Sequence, residues 1–320
     1  MGVQAATVAK GRQPAPSFTS IRGCESDALD SILQLARKIR AGGVGHSRRG
    51  LQVNLFFEAS TRTRTSFEVA GRRLGLDVVN LEVASSSVSK GESLADTVRT
   101  IDAIGPDVIV VRHSRAGAPE VVAANSAASV INAGDGAREH PTQAVLDAMT
   151  LMDRFQFDSV ADLRGLSIAV VGDIAHSRVA RSNLSLWSLA GANIRLVGPR
   201  AFLPPGFAEA GWDVHHDLET GLRGTDVVYL LRVQLERQHG QMYPSMGEYH
   251  RRYGLTKHRL ERFAPDALVM HPGPVNRGVE IADELMTDDR CLIQDQVTNG
   301  VWARMAVLDF LLDRLEKVSR

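Results

Sequence analysis

The chain has 320 residues, 44% of them hydrophobic, and its 37 basic and 37 acidic side chains give a formal net charge of zero. Nucleic-acid binding draws on an excess of positive charge, so no nucleic-acid partner is expected. The length allows two domains, each with its own core. Two cysteines, Cys24 and Cys291, are too few for a disulfide framework or a metal cluster, which favours the cytoplasm.

Membrane attachment is not expected from the sequence. No apolar run approaches the roughly 20 residues that a bilayer-spanning helix requires. Residues 1–17 combine small residues with Lys, Arg and Pro and lack a hydrophobic signal region, which predicts a loose tail.

Strand-like and helical segments alternate along the chain. In the first half, the predicted strands are 51–57, 77–83, 107–113 and 129–135. The helices that follow them, in the same order, are 61–74, 92–104, 117–126 and 140–155. In the second half, the predicted strands are 166–172, 193–198, 212–216, 226–231 and 267–271, with a helix near 178–190. This pattern is typical of parallel βα units and predicts an α/β protein with two doubly wound parallel-sheet domains.

The boundary between the domains is placed near 156–165, which lacks clear periodicity, or in the preceding helix. We predict a first domain over 1–150 and a second over 151–296. The apolar residues of the last segment lie mostly on one helical face, so a helix over about 297–320 is predicted to pack back on the first domain. Residues 238–256 are predicted to form a long loop.

The segment Ser60-Thr61-Arg62-Thr63-Arg64 follows the first predicted strand and begins a helix. A helix N-terminus exposes unpaired N–H groups and the positive end of the helix dipole, which together can bind a phosphate. Ser60 and Thr61 are suitable N-cap residues. Taken alone, the segment is equally consistent with a phosphate site and with a capped helix that has a solvated basic face.

Polar residues also follow later strands of the first half, where ligands of open α/β sheets bind. Arg112 ends the third strand, and its planar guanidinium can hold a phosphate or carbonyl oxygen. His140 precedes Pro141 at a helix N-terminus, which is expected to lower the pKa of the imidazole. Gln143 offers an amide one turn along. A surface salt bridge for Arg112 and a capping role for His140 are the alternatives.

Arginines recur after strands of the second half. Arg178 and Arg181 follow the fifth strand, and Arg232 follows the eighth; each can bind a carboxylate through two hydrogen bonds. Only Gly172 stands where a dinucleotide site requires G-x-G-x-x-G, so a nicotinamide cofactor is not expected. Residues 271–274, His-Pro-Gly-Pro, either hold backbone carbonyls outward or form a simple tight turn.

Taken in order, these motifs resemble those of aspartate carbamoyltransferase catalytic chains over about residues 50–310. The motifs that carry the resemblance are Phe56 to Arg64, Lys90-Gly91-Glu92, Arg112-His113, Asn132 to Gly136, His140 to Gln143, Arg232 to Arg237 and His271 to Pro274. Because several motifs occur in the same order as in that family, a coincidental match is far less probable than for a single motif.

The resemblance implies transfer of the carbamoyl group of carbamoyl phosphate to L-aspartate, a reaction of pyrimidine biosynthesis, in a cleft between the domains. It implies a homotrimer and no metal, cofactor or covalent intermediate. Regulatory or dihydroorotase-like chains are further candidate partners.

The resemblance also implies the site residues. Those for carbamoyl phosphate are Ser60, Thr61, Arg62, Thr63, Ser86, Arg112, His140, Gln143, Gly273 and Pro274, with the Pro272 carbonyl alongside. Thr63, Arg112 and His140 are the implied catalytic residues, because they would reach the carbonyl oxygen.

The aspartate-binding residues implied are Lys90, Arg178, Arg232 and Gln234. Ser86 and Lys90 would reach the site of a neighbouring subunit from a loop, and any serine of the segment 85–89 remains a candidate for this contact. Arg181 competes with Arg178 for a substrate carboxylate.

Ornithine carbamoyltransferase is the nearest alternative. That family carries an H-C-L-P loop and a D-x-x-x-S-M-G segment, whereas this chain has His-Pro-Gly-Pro at 271–274 and Gln241 ahead of Ser245-Met246-Gly247. Two arginines suit a dicarboxylate, while an ornithine side chain would require an acidic partner. A non-catalytic subunit is a further alternative, although the catalytic motifs are all present.

Overall fold

A computed structural model describes residues 15–43, 47–82, 93–233 and 245–318. The chain forms two compact units. The first combines Met1–Met149 with Thr298–Arg320, and the second is Thr150–Val297.

The first unit contains a four-stranded parallel sheet. Its strands are β1 (Leu51–Phe56), β2 (Asp77–Glu82), β3 (Val108–His113) and β4 (Ser129–Asp135), in the order β2-β1-β3-β4. Its helices are α1 (Ser26–Arg40), α2 (Thr61–Leu74), α3 (Leu94–Asp102), α4 (Ala118–Ala124) and α5 (Pro141–Phe155), the last of which runs on into the second unit.

The second unit contains a five-stranded parallel sheet. Its strands are β5 (Ser167–Val171), β6 (Asn193–Val197), β7 (Asp213–His215), β8 (Val227–Leu230) and β9 (Leu268–Met270), in the order β7-β6-β5-β8-β9. Its helices are α6 (Arg178–Ala190), α7 (Gly206–Glu209), α8 (Leu218–Leu222), α9 (Met246–Tyr253) and α10 (Lys257–Phe263). Helix α11 (Ile293–Val318) begins here and continues into the first unit.

The two parallel-sheet α/β domains predicted from the sequence are confirmed. The prediction of a loop over 238–256 is wrong for its second half, which forms α9. Ser245 caps this helix by accepting a hydrogen bond from the Glu248 amide at 3.1 Å. Tyr249 and Tyr253 stack with ring centroids 5.6 Å apart, and both are buried, so their packing holds the helix in the second unit.

The strands that position the candidate site are buried on both faces. Residues 108–111 of β3 and 168–170 of β5 are inaccessible to solvent. Such runs of Val, Ile and Ala are typical of parallel strands covered by helices on both sides. Packing on both faces of each sheet therefore fixes the ends of β3 and β5.

The turn between β9 and α11 is held by a carboxylate–guanidinium pair. Arg290 donates from Nε to Asp288 Oδ1 at 2.8 Å and from Nη2 to Asp288 Oδ2 at 2.7 Å. Hydrogen bonding to Arg290 is the main cause that lowers the pKa of Asp288 to about 2. Because the pKa is lower in the folded state, the pair stabilises the fold fully above the unfolded pKa, and this contribution is lost as the pH falls toward 2.

We therefore expect Asp288→Asn to lower the free energy of unfolding by about 1 kcal/mol at pH 7, and by less at pH 3. Urea unfolding at the two pH values measures the difference. The exposed Arg277, which lies 3.2 Å from Asp283, provides the control: Arg277→Ala should change stability little at either pH. An equal loss at both pH values in Asp288→Asn would contradict the assignment.

Candidate active site

The strand order of the first sheet reverses between β1 and β3, because β2 lies on one side of β1 and β3 on the other. Ligands of open α/β sheets bind at such a reversal. Phe56 pairs with Arg112 across the two strands, and the Phe57 amide donates to the Arg112 carbonyl at 2.9 Å. The loop after β1 and the side chain of Arg112 thus share one edge of the sheet.

Helix α2 starts at this edge. Ser60 immediately precedes it, and its hydroxyl makes no capping hydrogen bond. Thr63 is buried in the first turn, whereas Thr61 and Arg62 are exposed. Because the amides of a first helical turn have no acceptor within the helix, this turn supplies backbone and hydroxyl donors suited to a phosphate.

Arg112 joins the ends of three neighbouring strands. Its Nη1 donates to the Ala133 carbonyl in β4 at 3.2 Å, and its Nε lies 3.5 Å from Glu58 Oε2 in the loop after β1. The Arg112 side chain is only 14% exposed. A guanidinium carries five N–H donors, so Arg112 can hold protein groups and a ligand oxygen together.

His113, beside Arg112, packs its ring against Phe57 with centroids 4.5 Å apart. Burial, and then the charge of Arg115, lower the pKa of His113. The Arg115 amide donates to His113 Nδ1 at 2.8 Å. The imidazole therefore adds little positive charge to this edge at neutral pH.

The chain between β4 and α5 is fixed around the buried Asp135. Asp135 Oδ2 accepts from the Gly117 amide at 2.7 Å, and Oδ1 accepts from Asn132 Nδ2 at 2.8 Å and from the Glu139 amide at 3.1 Å. The Glu139 carboxylate accepts two further hydrogen bonds from the segment before α1. These bonds set the position of the next residue, His140.

His140 directly precedes α5 and is buried. Its carbonyl accepts from the Gln143 amide at 2.9 Å, so the two residues share one helical turn. The Gln143 side chain is also buried, and its Nε2 donates to Asp147 Oδ1 at 3.0 Å. Sequence analysis missed Asp147, although its spacing of four residues from Gln143 on a predicted helix was an available signal.

The second sheet reverses between β5 and β8, and the candidate arginines follow these two strands. Arg178 is the first residue of α6 and is 3% exposed. Arg181, in contrast, is exposed and donates from Nη2 to the Ala175 carbonyl at 3.1 Å. Arg232 follows β8 and is half-buried, next to the buried Val233.

The turn at 271–274 follows β9, the neighbour of β8. The His271 amide donates to Gln296 Oε1 at 2.9 Å, and His271 Nδ1 accepts from the Gly273 amide at 2.8 Å. His271 Nε2 lies 3.2 Å from Glu280 Oε1, with both side chains buried. Gly273 has a φ of +64°, a conformation that favours glycine. Sequence analysis missed the supporting roles of Gln296 and Glu280.

The predicted residues in the described ranges follow the strands of the two sheets and form two groups. Those of the first unit follow β1, β3 and β4, and those of the second follow β5, β8 and β9. Ser86, Lys90 and Gln234 lie outside the described residues, as does the serine segment 85–89. None of the helices in the described ranges is long and apolar enough to cross a membrane.

Family models match both units. The carbamoyl-phosphate-binding domain of aspartate/ornithine carbamoyltransferases matches residues 17–153, and the aspartate/ornithine-binding domain matches residues 164–311. The two matches together span most of the chain, and the second extends into the part of α11 that belongs to the first unit.

Individual relatives and solved structures also match carbamoyltransferases. The chain is 53% identical over 285 residues to the aspartate carbamoyltransferase catalytic subunit of Rhodospirillum rubrum, and the match covers 88% of each chain. The structure of aspartate transcarbamoylase from Trypanosoma cruzi with carbamoyl phosphate and aspartate matches with a TM-score of 0.77 and 33% identity, covering 96% of this chain and 98% of that one. Ornithine carbamoyltransferase from Gloeobacter violaceus matches with a TM-score of 0.76 and 28% identity, covering 93% and 98%. On these matches, the chain belongs to the aspartate/ornithine carbamoyltransferase family.

Proposed function

We propose that the chain is a catalytic aspartate carbamoyltransferase, which converts carbamoyl phosphate and L-aspartate into N-carbamoyl-L-aspartate and phosphate in pyrimidine biosynthesis. Its 53% identity to a catalytic subunit of that name supports this activity. The structural observation that carries the choice of aspartate is the pair Arg178 and Arg232, which follow the two strands at the reversal of the second sheet. Two guanidiniums suit the two carboxylates of aspartate.

Carbamoyl phosphate is assigned to the first unit. The phosphate binds at the start of α2 through Ser60, Thr61, Arg62 and Thr63, where helix amides and hydroxyls supply donors. Arg112 joins them from the end of β3. The carbamoyl amide is held by Gln143 and by the backbone carbonyls of the turn at 271–274.

The reaction requires stabilisation of negative charge on the carbamoyl oxygen. The neutral amine of aspartate attacks the carbamoyl carbon, charge builds on this oxygen, and phosphate leaves. Thr63, Arg112 and His140 are the donors assigned to the oxygen. Because the amine is itself the nucleophile, no protein side chain need form a covalent intermediate.

The proposal extends to assembly and location. Ser86 and Lys90 act in the site of a neighbouring subunit of a cytoplasmic homotrimer, and Gln234 supports aspartate binding. The carbamoyl-phosphate domain covers 1–150 with the final helix, and the aspartate domain covers 151–296. Sedimentation of the purified chain tests the trimer, since a monomer with full activity would exclude shared sites.

Incubation of the pure chain with carbamoyl phosphate and either aspartate or ornithine tests the activity. We expect N-carbamoyl-aspartate, with kcat/KM for ornithine lower by at least about 10³-fold, because ornithine lacks the second carboxylate. Chromatography of the products provides the measurement, and omission of carbamoyl phosphate is the control. Preferential citrulline formation would instead identify an ornithine enzyme, and no product with either amino acid would favour a non-catalytic subunit.

A further inference from the structure

An arginine is buried beneath the carbamoyl-phosphate half of the site. Arg304 lies in the part of α11 that belongs to the first unit and is 4% exposed. Its Nη1 donates to Ser66 Oγ in α2 and to the Gly300 carbonyl, both at 2.9 Å. Its guanidinium carbon lies 5.2 Å from the centre of the Phe67 ring. Arg304 therefore contacts the helix whose N-terminus is assigned to the phosphate.

A buried carboxylate on α5, Asp147, interacts electrostatically with Arg304. Burial lowers the pKa of Arg304 to about 10, whereas the negative charge of Asp147 raises it. The guanidinium thus remains charged at neutral pH. Asp147 is fully buried, and a buried carboxylate requires an opposite charge and hydrogen-bond donors. Gln143 Nε2 provides such a donor at 3.0 Å, and the positive charge of Arg304 interacts with the carboxylate.

The bond to Asp147 determines which end of the Gln143 amide faces the carboxylate. An ionised carboxylate can only accept hydrogen bonds, so it selects the Nε2 end of the amide. The Oε1 atom, an acceptor, is then at the other end of the side-chain amide. An acceptor is the group that recognises the –NH₂ of a carbamoyl group, whereas the methyl of an acetyl group has no proton to donate.

We propose that Asp147 is a positioning residue that orients Gln143 to select the carbamoyl amide over other acyl groups. The inference rests on the proposed function and adds a specificity device to it. Arg304 adds a positive charge that interacts with Asp147 and a hydrogen bond to Ser66 on α2.

The test compares the binding of carbamoyl phosphate, acetyl phosphate and inorganic phosphate to the full-length chain by calorimetry. We expect Asp147→Leu to weaken carbamoyl phosphate about tenfold and the other two ligands less than about twofold, since only the first contains the amide. Asp147→Asn should weaken carbamoyl phosphate by less than Asp147→Leu does, because the amide oxygen of asparagine can still accept a hydrogen bond from Gln143. Gln143→Ala should show the same selective loss, with no further loss when combined with Asp147→Leu.

A second variant keeps the test valid if Asp147→Leu alone does not fold. Asp147→Leu with Arg304→Met removes both charges while roughly preserving volume, and it should show the same selective loss. Asp309→Leu is the matched control, since Asp309 in α11 pairs with Arg48 at 2.5 Å and has no assigned role in binding. It should leave the ratio of the three affinities unchanged.

An equal weakening of all three ligands in the folded variant would overturn the proposal, because it would reveal a purely structural role. Unchanged selectivity would overturn it as well. A wild-type chain that does not bind carbamoyl phosphate would contradict the proposed function itself. The wild-type measurement therefore separates failure of the activity from failure of the positioning role.

Discussion

Replacing Arg112 with alanine is expected to reduce kcat by about 10²–10³-fold, the usual cost of losing one donor to a developing oxyanion. Arg112 is 14% exposed and is already oriented by Glu58 and by the Ala133 carbonyl. Donors that are already oriented need little reorganisation during the reaction. Removing one of them therefore mainly destabilises the transition state. Initial rates with both substrates saturating measure the effect as a change in kcat.

Arg115 offers the matched control for this variant. It is an exposed arginine in the loop that follows β3, and its hydrogen bond to His113 comes from the backbone amide, which the substitution retains. Arg115→Ala removes the same side-chain type and should change kcat less than about twofold. A normal kcat in folded Arg112→Ala, judged by circular dichroism, would remove Arg112 from the catalytic group.

The second large effect is expected at Arg178. Arg178→Ala should raise the KM for aspartate by about 10²-fold, because the proposed function assigns this largely buried guanidinium to a substrate carboxylate, and such a pair is costly to lose. The affinity for carbamoyl phosphate, measured without aspartate, should change little. Steady-state kinetics over a range of aspartate concentrations provide the measurement.

Arg181→Ala is the natural comparison, because both arginines belong to α6 and differ in burial. Arg181 is exposed and donates to the Ala175 carbonyl, whereas Arg178 is 3% exposed. We expect Arg181→Ala to leave the KM for aspartate nearly unchanged. A large rise in KM only in Arg181→Ala would reverse the assignment of the two residues.

The parallel strands could be predicted because their sequences are short runs of Val, Ile, Leu and Ala that precede segments of helical periodicity. Helix α1 was omitted, although Leu29, Ile32, Leu33 and Ala36 have helical spacing and are buried. Residues 238–256, which include helix α9, are predicted as loop because they are rich in Tyr, Gly, His and Arg. In the structure, Tyr249 and Tyr253 are the buried residues of α9. Its apolar signal becomes clear only when its packing partners are known.

The strand-end residues of the candidate site could also be predicted, because parallel strands place their carboxyl ends at one edge of a sheet. Their supporting partners could not. Gln296 and His271 are 25 residues apart, and nothing local in the sequence pairs them. The contact between Arg304 and Ser66 spans 238 residues and depends on the return of α11 to the first unit. Such contacts follow from tertiary structure rather than from periodicity.

The composition of the first unit from both ends of the chain has a consequence for synthesis. Ser66 and Phe67 of α2 contact Arg304, which is translated long after the four strands of the first sheet. A nascent chain still lacking α11 would leave α2 without these contacts. Helix α2 therefore reaches its native packing only after α11 has been synthesised.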